Sequence, residues 1–187
     1  MAQADRPASP EGQLRSAASI SVFFPCYNEQ ANVARVAEQA IRVLEGLGAD
    51  YEVIIVDDGS ADETGRLADE IAADNDRIRV IHHESNLGYG AALQSGFRAA
   101  RKELVFYTDG DGQFDISEMP ALLPLMNEYD IVSCYRMNRQ DNVVRKINGW
   151  LWTKVTGLVF SLKVRDVDCA FKLYRRSIFD RIKMEST

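Results

Sequence analysis

The feature that most constrains the fold of this chain is a regular alternation of short apolar runs with longer segments of helical periodicity. The apolar runs are rich in β-branched and aromatic residues, as buried strands are, and they cover residues 20–24, 52–56, 78–81, 103–108 and 131–134. The intervening segments repeat apolar residues three or four positions apart, which is typical of amphipathic helices. Strands that alternate with helices predict an α/β fold with a mainly parallel sheet and helices on both of its faces.

Polar and small residues mark the expected ends of these helices. Asparagine and serine side chains can accept backbone hydrogen bonds at the start of a helix, so we expect Asn28 to cap the first helix and Ser117 to cap the helix after the fourth strand. Gly46 and Gly48 are expected to end the first helix, and the third helix is predicted over residues 88–101.

The size, charge and cysteine content of the chain limit its class. Its 187 residues suit one domain, which we expect at residues 19–187 behind a disordered tail at residues 1–18. The net charge of −6 gives no reason to expect nucleic-acid binding. Three dispersed cysteines indicate neither a disulfide framework nor a zinc site and favour a reducing cytosol. No apolar run reaches the roughly 18 residues of a membrane span, and the first residues lack the apolar core of a signal peptide.

Polar clusters follow three of the predicted strands. They read PCYNE after the first strand, DDGSADET after the second and DGDGQF after the fourth. The carboxyl ends of parallel strands lie at one edge of a sheet, and open α/β sheets bind their ligands beyond that edge. We therefore expect the three clusters to form one site.

The third cluster places Asp109 and Asp111 one residue apart, among Gly110 and Gly112. Two carboxylates this close repel each other unless a cation or a shared proton relieves them. Mg²⁺ binds one or two protein carboxylates and takes further oxygen ligands from substrate phosphates, and the glycines leave room for a diphosphate. Gln113 adds a neutral oxygen ligand. A glycine- and aspartate-rich turn explains the same spacing, so both interpretations stay open on the spacing alone.

Asp57 and Asp58 in the second cluster admit several roles. They belong to a loop that leads into a helix, and one carboxylate there can hydrogen-bond a nucleobase or a ribose. A phospho-acceptor aspartate, as in a receiver domain, competes with that role, but the lysine expected at a late strand end is missing. His82 and His83 lack a partner at metal-ligand spacing, so we expect a structural or surface role for them.

The glycine-rich stretch NLGYGAALQSG, which follows the third strand, matches no Walker A lysine motif. No G-x-G-x-x-G follows the first strand either, which argues against a dinucleotide-binding dehydrogenase. We expect the glycines of this stretch to let a helix pack close to the sheet.

Taken together and in this order, five motifs resemble those of family 2 glycosyltransferases: FFPCYNEQANV, VIIVDDGSADETG, NLGYGAALQSGFRAA, DGDGQF and VRDVDCAFKLYRR. The resemblance is strongest to the branch that contains dolichyl-phosphate mannose synthase and the bacterial polyprenyl-phosphate glycosyltransferases. It runs from about residue 20 to about residue 182. It implies a GT-A (Rossmann-like) fold and the inverting transfer of a sugar from a GDP- or UDP-linked donor to a dolichyl or undecaprenyl phosphate.

The resemblance also implies roles for individual residues on the donor side. The residues implied to border the nucleotide are Pro25, Tyr27, Glu29, Val56 and Asp58. Of these, Val56 and Asp58 are implied to meet its base and ribose. The residues implied to hold Mg²⁺ or Mn²⁺ and the donor diphosphate are Asp109, Asp111 and Gln113.

On the acceptor side, Arg136 fits the arginine after the fifth strand, and Arg145 fits a second basic position that holds the acceptor phosphate. The resemblance thus assigns catalysis to Asp109, Asp111 and Arg136, and it places Asp166 in the motif before the last strand. An anionic polyprenyl phosphate needs no strong general base; it needs placement by arginines and a metal at the leaving diphosphate. A solvated basic loop is the other interpretation of the two arginines.

Residues 142–162 form a predicted helix with an apolar face and basic groups. Such a helix lies either at a membrane interface or in the core. We expect a cytoplasmic location, at the cytoplasmic face of a membrane if the helix makes peripheral contact there. Family members continue beyond the position of Thr187, so we expect this chain to be truncated at its C-terminus.

Two other functions stay open. Transfer to a hydroxyl of a glycan or a small molecule would need a carboxylate base instead of a phosphate-binding arginine. A nucleotide-sugar-binding domain without turnover is the second alternative.

Overall fold

The structure, a computed structural model, describes residues 19–135, 152, 154–157, 159 and 166–184. Within these residues, six strands form one sheet: β1 (Ser19–Cys26), β2 (Asp50–Asp57), β3 (Ile78–His82), β4 (Leu104–Thr108), β5 (Ile131–Ser133) and β6 (Phe171–Arg175). The α-helices with described bounds are α1 (Val33–Gly46), α2 (Thr64–Ala73) and α3 (Tyr89–Ala99). Two 3₁₀ helices span Ile116–Asn127 and Arg176–Ile178.

The strand order in the sheet is β3-β2-β1-β4-β6-β5. Strands β1 to β4 run parallel, whereas β6 runs antiparallel to both β4 and β5. The predicted mainly parallel sheet is therefore confirmed. The order reverses at β1, which pairs with β2 on one side and with β4 on the other, so the topological switch point lies between β1 and β4.

Alternate residues of the central strands face two separate cores, one on each side of the sheet. On one side, Val22 and Phe24 of β1 pack with α1, α2 and the 3₁₀ helix Ile116–Asn127. On the other side, Phe23 packs with α3, and a Cβ on Gly96 of α3 would stand 2.2 Å from the ring of Phe23. Helices thus cover both faces as predicted, and Gly96 does let α3 approach the sheet closely.

Asn28 does not cap the first helix, so that prediction is wrong. α1 begins at Val33 after Asn32, and Asn28 has a positive φ of 57°. The backbone N–H of Asn28 donates to Oγ of Ser60, and its side-chain oxygen accepts from the N–H of Ala61. Asn28 therefore connects the β1–α1 loop to the β2–α2 loop. It does not cap α1 because its polar groups bond partners on the neighbouring loop instead.

The segment after β4 also differs from the prediction. Ser117 does not cap it; instead, a carboxylate oxygen of Asp115 accepts the N–H of Ser117 at 3.0 Å. The segment Ile116–Asn127 is a 3₁₀ helix that contains Pro120 and Pro124. Proline lacks the N–H that an α-helical turn requires, which explains why an apolar run of helical length did not form an α-helix.

The other predicted helix ends are close to the observed ones. α1 ends at Gly46 as predicted. α3 is shorter than the predicted 88–101, because Gly88 has a φ of 90° and Ala100 is extended.

Candidate functional site

A cleft of about 350 Å³ opens at the edge of the sheet where the parallel strands end. Residues at the end of β1 and just after β4 line it, so the cleft lies at the topological switch point. Six residues singled out from the sequence line the cleft together: Pro25, Tyr27, Glu29, Asp58, Asp109 and Asp111. The three polar clusters therefore converge as expected, while the roles of these residues stay predictions.

Asp58 is a cleft residue whose carboxylate is almost fully engaged by the chain itself. Only 3% of Asp58 is exposed. Its Oδ1 accepts the N–H of Leu87 at 2.9 Å, and its Oδ2 accepts the N–H of Gly88 at 3.0 Å. His83 lies between Asp58 and α3, with Nδ1 2.6 Å from Oδ1 of Asp58 and Nε2 2.8 Å from Oγ of Ser95. Asp58 thus fixes the connection from β3 to α3, which forms part of the cleft wall.

The loop after β4 holds the two neighbouring carboxylates in defined positions. Oδ1 of Asp109 accepts a 2.7 Å hydrogen bond from the hydroxyl of Tyr89. Oδ1 of Asp111 accepts a 3.0 Å hydrogen bond from the backbone N–H two residues further on. The carbonyl oxygen of Gly112 accepts two 3.4 Å hydrogen bonds from the guanidinium of Arg35. The loop is therefore anchored to both α3 and α1.

Tyr89 is a site residue that the sequence did not reveal. It is the first residue of α3, it lines the cleft near Asn86, and 51% of it is exposed. Burial of its hydroxyl end and the charge of Asp109 raise the pKa of Tyr89, so the hydroxyl stays protonated and donates. The sequence draws attention to the stretch NLGYG through its glycines. Nothing in that local pattern indicates that its tyrosine contacts the loop after β4.

Other residues singled out from the sequence lie elsewhere. Val56 is fully buried in the core on the α3 face, and Gln113 is exposed and outside the cleft lining. Asp166 is buried before β6, where its Oδ1 accepts a backbone N–H at 3.2 Å. Arg136 and Arg145 lie outside the described residues. The structure therefore brings together most of the residues expected to bind the nucleotide sugar. The two arginines expected to bind the acceptor phosphate stay a prediction.

His82 has the structural role that was expected for it. Its Nδ1 lies 2.9 Å from Oδ2 of Asp57, and its Nε2 lies 3.0 Å from Oδ1 of Asp69. The hydrogen bonds that the carboxylates of Asp69 and Asp57 accept from the imidazole raise the pKa of His82. The imidazole thus links the end of β2 to α2 through two carboxylates.

The carboxylate oxygens in the cleft suit a hard divalent ion that also binds a substrate. Among the described residues, no three His, Cys, Asp or Glu side chains converge as a ready-made metal cage. The cleft instead offers the carboxylates of Asp109 and Asp111 side by side. Few protein ligands, all of them oxygen, are what Mg²⁺ and Mn²⁺ use when substrate phosphates complete their coordination. The residues present therefore fit such an ion.

The described part of the segment 142–162 is helical, and it exposes Trp152, Val155 and Val159. Contact of this segment with a membrane stays a prediction. Of the helices in the described part of the chain, none is both long and apolar enough to cross a membrane.

Known proteins resemble this chain over most of its length. A family model described as Glycosyl transferase family 2 matches residues 21–183. The chain is 37% identical over 169 residues to the undecaprenyl-phosphate 4-deoxy-4-formamido-L-arabinose transferase of Proteus mirabilis, a match that covers 86% of this chain and 50% of that protein. It is 31% identical over 169 residues to the dodecaprenyl-phosphate galacturonate synthase of Rhizobium johnstonii, covering 88% of this chain and 50% of that protein.

A similar solved structure is that of glucosyl-3-phosphoglycerate synthase from Mycobacterium tuberculosis in complex with Mn²⁺ and uridine-diphosphate-glucose. It shares 25% identity with this chain at a TM-score of 0.66, over 93% of this chain and 63% of that one. The chain thus spans about half the length of the curated relatives it matches.

Proposed function

The chain belongs to glycosyl transferase family 2, and we propose that it binds a nucleotide-diphosphate sugar in the cleft for inverting, metal-dependent transfer to a polyprenyl phosphate. The proposed donor is GDP- or UDP-linked, and the proposed acceptor is of the dolichyl or undecaprenyl type. The sheet with helices on both faces is the GT-A fold of similar solved glycosyltransferases. Within this fold, residues 19–187 form the proposed catalytic domain.

The observation that carries the proposal is the meeting of four carboxylates, those of Glu29, Asp58, Asp109 and Asp111, in one cleft at the topological switch point. Ligands of open α/β sheets bind at this position. These carboxylates without a cation would repel an anionic donor, so the site favours a donor that brings a divalent ion with it.

On the donor side, Asp109 and Asp111 would hold Mg²⁺ or Mn²⁺, and when bound, this ion neutralises charge on the leaving diphosphate. Gly110 is buried beside them, but Cys26 and Pro25 occupy the side where a side chain would stand, so the expected space for a diphosphate does not come from this glycine. Tyr27 and Glu29 line the same cleft and would border the nucleotide. The relative with 25% identity is described in complex with Mn²⁺ and a nucleotide sugar, which supports this assignment.

On the acceptor side, support comes from the names of two curated relatives, which specify undecaprenyl and dodecaprenyl phosphate. A phosphate monoester is already an anionic nucleophile, so the chain needs to place it and to offset its charge rather than to deprotonate it. We assign this role to Arg136 and Arg145. Sugar transfer to a lipid-linked acceptor would require the chain to act at the cytoplasmic face of a membrane. The exposed Trp152 and Val155 would then lie on the surface that contacts it.

Titration calorimetry of the purified chain tests the donor half of the proposal. The ligands are UDP-glucose, GDP-mannose, UDP and GDP, each with Mn²⁺ and each with a chelator. We expect one nucleotide family to bind with Mn²⁺ and to bind much more weakly with the chelator. A folded chain that binds none of the four in the presence of Mn²⁺ would contradict the proposed function.

A transfer assay tests the acceptor half. The chain is incubated with the donor that binds, Mn²⁺ and undecaprenyl phosphate in detergent, and undecaprenol is the matched acceptor that lacks the phosphate. We expect a lipid-linked sugar from the phosphate only. Equal transfer to the alcohol would favour a hydroxyl-directed transferase.

A further inference from the structure

We propose that Tyr89 is a positioning residue that orients the Asp109 carboxylate for the donor diphosphate and its divalent ion. The inference rests on the proposed function, because it concerns the same cleft. It adds a polar side chain from α3 to a site whose other polar groups come from strand ends and the loops that follow them.

The direct contact is short and lies inside the cleft. The hydroxyl of Tyr89 donates to Oδ1 of Asp109 at 2.7 Å, and both residues line the cleft. A hydrogen bond to one carboxylate oxygen restricts rotation of the whole carboxylate group, so it sets the directions of both oxygens. Partners that orient a metal-binding carboxylate in this way typically change metal affinity by about 10- to 100-fold.

The backbone of Tyr89 is itself held by another cleft carboxylate. Asp58 accepts the N–H groups of Leu87 and Gly88, which directly precede Tyr89. The carbonyl oxygen of Gly88 then accepts the N–H groups of the first turn of α3. A single short segment therefore connects Asp58 to Asp109, and Tyr89 is the residue through which it reaches Asp109.

A contribution to folding alone does not account for this geometry. Half of Tyr89 is exposed (51%), so the residue adds little to either core. Its ring would remain in place after loss of the hydroxyl, while the hydrogen bond to Asp109 and the hydroxyl contact with Tyr107 would disappear. Tyr89→Phe therefore separates positioning of the carboxylate from packing.

The test measures Mn²⁺ affinity by the loss of the free-Mn²⁺ signal in electron paramagnetic resonance, at a saturating concentration of the nucleoside diphosphate that the chain binds. The same nucleotide and Mn²⁺ without protein give the blank, because the diphosphate binds Mn²⁺ by itself. The variants are Tyr89→Phe and the control Tyr129→Phe, which alters a tyrosine of similar exposure (56%) beyond the 3₁₀ helix Ile116–Asn127. We expect Tyr89→Phe to bind Mn²⁺ about tenfold more weakly or worse, with an unchanged thermal unfolding midpoint. Tyr129→Phe should match the wild type.

The outcomes distinguish this inference from the proposed function. If the wild-type chain binds Mn²⁺ with the nucleotide and Tyr89→Phe binds it equally well, the role of Tyr89 is refuted and the proposed function stands. If the wild-type chain shows no Mn²⁺ binding in the presence of UDP or GDP, both are refuted. An equal loss in Tyr89→Phe and Tyr129→Phe would also refute a specific role for Tyr89.

Discussion

Gly110, in the loop after β4, lies directly against Cys26 at the end of β1. A Cβ on Gly110 would stand 2.6 Å from Sγ of Cys26 and 2.6 Å from the carbonyl oxygen of Pro25. Both neighbours are buried, so neither can move away without shifting β1. This contact holds the loop that carries Asp109 and Asp111 against the end of β1.

Gly110→Ala should therefore damage both stability and binding. We expect the free energy of unfolding to fall by about 1–3 kcal/mol, because the added methyl group overpacks a buried contact. Mn²⁺-dependent nucleotide binding should weaken as the loop moves. Chemical denaturation and calorimetry measure the two effects. Gly46→Ala is the control, since a Cβ there meets nothing within 4 Å, and it should not weaken either property.

Asp111→Asn should weaken metal-dependent donor binding without unfolding the chain. Asp111 is partly exposed at the cleft, so the neutral amide fits while a charged oxygen ligand is lost. Loss of a residue that only hydrogen-bonds a metal ligand typically lowers metal affinity by about 10- to 100-fold. Loss of a ligand itself should therefore weaken Mn²⁺-dependent binding at least about tenfold in calorimetry. Glu38→Gln, an exposed carboxylate on α1, is the charge-matched control. Unchanged binding by Asp111→Asn would contradict a metal role for this residue.

The sequence was sufficient to predict the sheet and the convergence of the polar clusters in one cleft, because both follow from local patterns. Apolar runs mark strands, and the carboxyl ends of parallel strands must share an edge, so Asp58 and Asp109 had to meet there. The contact of Tyr89 with Asp109 depends on how α3 enters the fold, and no local pattern encodes it. The failed cap at Asn28 has the same cause, because its partners lie 32 and 33 residues away on another loop.

The link between His82 and two carboxylates predicts a pH dependence. The pKa of His82 is raised by its hydrogen bonds to the carboxylates of Asp69 and then Asp57, so the folded chain holds this proton more tightly than the unfolded chain. The stabilisation is fully present below the unfolded histidine pKa of about 6.5 and is lost as the pH rises through the higher folded pKa. Asp69→Asn should lower the His82 pKa, which NMR titration of the imidazole measures.

A matched variant separates this link from general charge effects. Asp76→Asn removes an exposed carboxylate in the α2–β3 turn and should leave the His82 pKa unchanged. The free energy of unfolding of Asp69→Asn should also fall less than that of the wild type as the pH rises above about 6.5. An unchanged His82 pKa in Asp69→Asn would show that the contact between these residues does not persist in solution.

A buried polar network stabilises the edge of the sheet opposite the cleft. Oε1 of Glu52 accepts the hydroxyl of Ser21 at 2.6 Å and the N–H of Arg101 at 2.7 Å, while Oε2 accepts the guanidinium of Arg79 at 2.8 Å. Burial opposes the charged form, but these hydrogen bonds lower the pKa of Glu52. The apolar pattern of β2 predicted a strand here and gave no indication that a carboxylate within it organises three other segments.

Glu52→Gln should reduce stability without affecting the cleft. The amide keeps the shape but places an N–H group opposite the Arg79 guanidinium, so we expect a loss of about 1.5–3 kcal/mol in the free energy of unfolding at neutral pH. Because the folded pKa is lowered, this stabilisation is present above the unfolded value of about 4.3 and is lost as the pH falls through the folded pKa. Chemical denaturation of the wild type and of Glu52→Gln at pH 7 and in acid measures this. The difference between their free energies of unfolding should be smaller in acid. Glu103→Gln, which removes a half-exposed partner of Arg175, should cost less than about 1 kcal/mol. A loss of nucleotide affinity in Glu52→Gln would show that the two edges of the sheet are coupled.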